Sequence, residues 1–109
     1  MKYSILITPS AEQDIVEAAD YIEFTLFNPA AADDLLDKTE EAINKLSSMP
    51  EKHALVDDPV LASWGIRMIV IENYLAFYVI DEGNKTVSIV RFLYGKRNWL
   101  SILRRNLDS

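Results

Sequence analysis

The sequence predicts an α+β domain, a helical hairpin packed on a small antiparallel β-sheet in the order β-α-α-β-β-β, closed by a short C-terminal helix or arm. Three observations carry this. Two stretches of helical hydrophobic spacing stand side by side, separated only by Asn28-Pro29. Three β-rich runs follow, joined by connections too short for anything but antiparallel neighbours. One further strand-like segment opens the chain and has to join the same sheet, because an orphan strand leaves backbone groups unpaired.

The opening segment, Lys2 to Thr8, alternates Tyr3, Ile5 and Ile7 with Ser4, Leu6 and Thr8. A helix start follows, with Pro9 at a first helical position after Thr8, or with Ser10 as cap and Gln13 completing a capping box. Ile15, Ala19, Ile22 and Leu26 make its apolar stripe, while Glu12, Asp14, Glu17, Asp20 and Glu23 crowd its polar surface. Asn28 before Pro29 resets the chain, since a residue preceding proline leaves helical space and asparagine caps well. The second helix is expected to run to about Met49 on Ala32, Leu35, Thr39, Ala42 and Leu46, and Pro50 stops it.

Glu51 to Ser63 reads as a loop. The strand runs are Gly65–Ile71, Tyr74–Ile80 and Thr86–Tyr94, with Glu72-Asn73 as a two-residue hairpin turn. In the longer turn Asp81 to Lys85, Gly83-Asn84 is suited to positive φ. The tail from Asn98 to Leu107 carries Trp99, Leu100, Ile102 and Leu103 among polar residues.

The chain has 109 residues, half of them hydrophobic, which is enough for one modest core, so residues 1–109 are read as one domain. No run is long and apolar enough for a membrane span or signal peptide, so a cytoplasmic protein is expected. The absence of cysteine removes disulfide, thiolate and Cys-ligated zinc chemistry. Residues 1–82 hold 5 cations against 16 carboxylates and residues 83–109 hold 6 against 1, so the net charge of −6 is −11 + 5. The acidic bulk repels a long nucleic acid, and contact with phosphate would have to be local to the basic end.

That end is the best candidate for chemistry. Arg67 on the first meander strand, Arg91 on the last and Lys96-Arg97 just beyond could be gathered by antiparallel pairing, with Tyr74, Tyr78 and Tyr94 nearby. Cutting RNA without a metal needs a base for the ribose 2′-OH, cations for the phosphorane and an acid for the leaving oxygen. Arginine suits the second role through its planar fork, but no base is evident. The competing reading pairs Arg67 and Arg91 with the abundant carboxylates and leaves Lys96-Arg97 as solubilising charges. His53, with Glu51, Asp57 and Asp58, lacks the second histidine and helical spacing of a metal site and reads as solvated loop. Trp64 and Trp99 read as core or lid residues.

Gly65-Ile66-Arg67-Met68, Asn73 to Glu82 and above all Val87 to Trp99 resemble the RelE/ParE superfamily of toxins from type II toxin–antitoxin, or plasmid stabilisation, systems. Thr8 to Ile15 and Asn28 to Ala32 also fit. The resemblance implies a growth-inhibiting toxin neutralised by an antitoxin protein, with no cofactor and no metal. RelE-like members cut mRNA on the ribosome, and ParE-like members bind DNA gyrase. For the first activity it implies a metal-independent endoribonuclease with Arg67, Arg91 and Arg97 on phosphate charge, Lys96 and Arg97 on RNA, and Tyr94 as acid, base or stacking group. The alternatives are a gyrase inhibitor without catalysis and a degenerate member that only binds antitoxin.

Overall fold

The computed structural model describes residues 2–107; Met1, Asp108 and Ser109 of the expected domain lie outside the described residues. The elements are β1 Ser4–Ile7, α1 Pro9–Asp20, a π-helical turn Tyr21–Thr25, and α2 Pro29–Lys45. A 3₁₀ turn Pro50–Lys52 and the short helix α3 Pro59–Ser63 follow. Then come β2 Arg67–Ile71, β3 Tyr74–Asp81, β4 Thr86–Tyr94 and α4 Trp99–Leu107.

The α+β architecture and the helical hairpin are as the sequence predicts. The meander β2-β3-β4 is antiparallel, while β1 pairs parallel with β4, so the four-stranded sheet is mixed, in the order β1-β4-β3-β2. The parallel pairing follows from the connectivity. The hairpin carries the chain over the sheet and the meander returns it, so that Ser4 faces Thr86 and Ile7 faces Ile89 with both strands running the same way.

The sheet is covered on both faces. Tyr78, Ile89 and Phe92 pack with Ala18, Leu35 and Ile43 of the hairpin, and Phe77 and Leu93 pack on the other face with Leu61 of α3 and Ile102 and Leu103 of α4. A bulge makes this possible. Tyr78 opposes Ile89 and Phe77 opposes Arg91, which leaves Val90 as an extra residue in β4. The parity of β4 changes there, so Ile89 and Phe92 reach the same face although three residues separate them.

Each of the first three α-helices begins with a polar cap followed by proline. Thr8 accepts from the Ala11 amide at 3.2 Å, Asn28 from Ala31 at 3.1 Å and Asp58 from Leu61 at 3.0 Å, so Thr8 rather than Ser10 caps α1. The stretch Glu51–Ser63 is therefore not the open loop the sequence suggests. Its 3₁₀ turn receives the buried Tyr78 hydroxyl, which donates to the Pro50 carbonyl at 2.6 Å, and α3 buries Leu61 completely. In the turn after β3, Lys85 rather than Gly83 or Asn84 takes the left-handed backbone, at φ 50°, and the Asp81 carboxylate holds the Asn84 amide.

Asp58 does two jobs, capping α3 and receiving the Arg104 guanidinium of α4 at 2.8 Å, which fastens both short helices to one carboxylate. The Leu61 amide first, then Arg104, lowers its pKa below the usual 3.8. The folded value lies below the unfolded one, so its stabilisation is complete above the ordinary carboxylate range and is lost as pH falls through the folded value. Thermal melts between about pH 5 and about pH 2 should show the midpoint falling, and in Asp58→Asn the fall should be smaller from a lower neutral-pH midpoint.

Candidate functional site

The expected cluster divides in the structure. β1 ends opposite Ile89, but β4 continues to Tyr94, so its outer edge lacks a strand beyond that point. α1 covers the exposed edge. The Thr8 hydroxyl donates to the Ile89 carbonyl at 2.9 Å, and six residues further on, the Asp14 carboxylate accepts from the Phe92 amide at 3.0 Å. The same carboxylate takes Arg91 in a fork, with Nε at 2.6 Å from Oδ2 and an Nη at 3.0 Å from Oδ1, both side chains mostly out of water. Asp14, then nearby Glu17, keep this guanidinium charged. Arg91 is thereby committed to holding α1 on the sheet.

Arg67 is held differently. It lies at the start of β2 and donates to the backbone carbonyl of His53 at 2.6 Å, pinning the segment before α3 to the sheet. It stands opposite Tyr78, while Tyr94 stands opposite Tyr74. Four residues of strand separate those two positions, about 13 Å at ~3.3 Å per residue, so Arg67 and Tyr94 are not brought together.

Tyr94, Lys96 and Arg97 lie on or just beyond the far end of β4. The chain turns there, with the Arg97 amide bonded to the Tyr94 carbonyl at 3.0 Å. Gly95 lets the turn press onto the neighbouring hairpin: its amide bonds to the Asn73 carbonyl at 2.8 Å, and a β-carbon in its place would sit 3.3 Å from that oxygen. Lys96 and Arg97 are exposed and make no ion pair among the described residues.

Arg97 and Tyr94 do share a cleft, of about 730 Å³, with Asp14, Glu17, Tyr21 and Tyr74. Its floor is aromatic. Tyr74 stacks on Phe92 at 5.1 Å between ring centres and meets Tyr94 edge-on at 5.6 Å. Burial, reinforced by Tyr94 and Tyr21, pushes the Tyr74 phenol above its ordinary value, which keeps it protonated and unable to serve as a base at neutral pH. The cleft thus offers stacking faces, hydroxyls, one free cation and carboxylates. It can grip an amphipathic partner, whereas phosphate would meet Glu17 as well as Arg97.

Residues 5–99 match the family described as the ParE toxin of the type II toxin–antitoxin system parDE. The chain belongs to this toxin family. Solved structures agree in fold. A chain of the chromosomal ParDE TA system from P. aeruginosa is 20% identical, with a TM-score of 0.69 over 85% of this chain and 96% of that one. The toxin–antitoxin complex RelBE2 from Mycobacterium tuberculosis gives 22% and 0.60, covering 86% of this chain and 99% of that one. The archaeal RelE–RelB complex from Pyrococcus horikoshii OT3 gives 14% and 0.56, over 89% and 99%. No curated protein matches the chain. This ParE-family toxin has no helix among its described residues long and apolar enough to cross a membrane.

Sequence reasoning missed Asp14, which stood among five carboxylates of one helix with nothing to single it out. Removing its carboxylate leaves a half-buried guanidinium and a strand amide without partners. Asp14→Ala should lower unfolding free energy by about 2–4 kcal/mol, read as a lower urea midpoint at unchanged slope. Combining it with Arg91→Met should recover part of that loss, because no unpaired charge then remains.

Proposed function

We propose that this toxin arrests growth by binding a protein target, DNA gyrase, rather than by cutting mRNA, and that a cognate antitoxin holds it inactive in the cytoplasm. The observation that supports this is the fate of the cations. Arg91 is bound by Asp14 and Arg67 by a backbone carbonyl, so of the arginines a nuclease would direct at phosphate only Arg97 faces an open cleft, alongside Glu17. Phosphoryl transfer rests on positioned cations and a group that takes the 2′-OH proton. Tyr74 is held protonated, and Tyr94 with Arg97 is the residual pair on which the mRNA-cleaving reading would have to rest.

The match to the ParE toxin description and the resemblance to gyrase-binding members support the same choice. The antitoxin rests on the solved relatives, which come from toxin–antitoxin systems or complexes. An acidic chain is also better suited to a protein surface than to ribosomal RNA.

The test is pulse labelling within minutes of inducing the chain without antitoxin. Thymidine incorporation should fall first while methionine incorporation and mRNA length are preserved, and purified toxin should inhibit gyrase supercoiling. Arg97→Ala should leave growth arrest in place, whereas loss of a phosphate-stabilising group costs a nuclease about 10²–10³-fold. Early mRNA fragmentation abolished by Arg97→Ala would reverse the assignment.

A further inference from the structure

Four exposed large apolar side chains, among them Phe27, the most exposed of the described residues' large apolar side chains, are grouped at the tip of the helical hairpin. Phe27 is 84% exposed and Phe24 65%, with Leu26 at 54% and Tyr21 at 53% beside them in sequence. The backbone that carries them departs from an ordinary helix end. α1 widens into the π-helical turn Tyr21–Thr25, closed by the Leu26 amide on the Tyr21 carbonyl at 3.0 Å. Phe27 then takes a left-handed conformation, φ 54°, where a β-carbon crowds the following carbonyl and glycine or asparagine is the usual occupant.

Folding explains neither phenylalanine. An aromatic side chain in water forgoes the burial that normally recommends it, and at Phe27 it also strains the backbone. Such a combination is expected where a side chain is shaped for a contact outside the molecule. The surrounding charge narrows the partner. Glu17 and Asp20 are exposed on the last turns of α1, and Glu23 lies within the π-helical turn. A second copy would bring these carboxylates against their own images, and a nucleic acid would meet them with its phosphates. A protein with lysine or arginine around an apolar recess complements both features.

We propose that the hairpin tip is the surface by which this toxin engages its target, seating Phe24 and Phe27 in an apolar recess rimmed by basic residues. The inference rests on the target-binding reading of the function and names where that contact lies. Enzymes that handle DNA carry such basic surroundings close to their DNA path, which is the kind of surface an acidic, aromatic tip would occupy.

The experiment compares wild type with Phe24→Ser, Phe27→Gly and the double variant, each produced without antitoxin at matched levels. Glycine relieves the left-handed backbone and both side chains are exposed, so thermal midpoints of the variants should not fall. The dose needed for growth arrest should rise roughly tenfold or more in the double variant, as for loss of a central interface anchor. Undiminished arrest would overturn the proposal, since it would leave the tip to antitoxin or to no partner. A wild-type dimer that the double variant dissolves, measured by light scattering, would also overturn it by making the tip a self-contact. Gyrase supercoiling assayed in parallel separates the two readings. If wild type arrests growth yet spares supercoiling, the gyrase assignment fails, and the tip is still judged by whether the double variant loses arrest.

Discussion

The arrangement depends on one carboxylate. β1 is too short to accompany β4 along its length, and a strand edge left under a helix would bury amides without partners. Asp14 meets that need from the first helix. It accepts the Phe92 amide and the two prongs of Arg91, so one side chain closes the sheet edge, neutralises a strand cation and fixes the height of α1 above the sheet. The bulge at Val90 belongs to the same device, because it restores Phe92 to the hairpin side, where its ring meets Tyr74. Helix, bulge and aromatic floor are thus parts of one solution to a strand that outruns its neighbour.

That solution has a consequence for chemistry. A guanidinium held by a two-pronged bond to a carboxylate and mostly out of water cannot also wait for a phosphate, since redirecting it would leave Asp14 without its countercharge. The same holds along the basic end. Lys85 meets Glu82, Arg91 meets Asp14 and Arg104 meets Asp58, so three of its six cations are engaged within the chain. What reads in sequence as a basic island becomes, in three dimensions, a set of rivets between a cationic C-terminal quarter and an acidic remainder. Through Arg91 and Arg104 the asymmetry of charge joins two parts of one fold, while Lys85–Glu82 closes a local turn.

The order of elements was legible because it rests on local physics: alternating residues for strands, three-and-four spacing for helices, and short connections that leave antiparallel pairing as the sole option. The caps were legible only in part: Asn28 before Pro29 reads as one, Thr8 and Ser10 compete for the start of α1, and Asp58 hides in a stretch that reads as loop. Asp58-Pro59 repeats the grammar of Thr8-Pro9 and Asn28-Pro29, and read with that in mind it announces α3, which a short, mixed stretch otherwise concealed. Non-local facts were not legible. Nothing near Ser4 says that it will run beside Thr86, and nothing marks Asp14 as the partner of a residue 77 positions away. Of the candidate site, Tyr94 and Arg97 stayed together because a single turn connects them, whereas Arg67 and Arg91 were separated by partners that only the fold supplies.

Against this background of agreement the hairpin tip stands apart. Over most of the chain caps fall where helices begin and core positions are apolar, so local preference and global structure point the same way, and the other left-handed side chains, Glu72 and Lys85, are polar residues in turns between strands. Between Tyr21 and Asn28 they conflict: a helix widens, a phenylalanine occupies a left-handed position and a second one faces water. An asparagine is available one residue later, yet it is used to cap α2 rather than to ease the turn. Left-handed backbone at such a residue costs about 1–2 kcal/mol, a sizeable fraction of the stability of a domain this small. At Phe27 that cost falls on an aromatic side chain that is 84% exposed, and it makes sense as part of an interaction that the isolated chain does not contain.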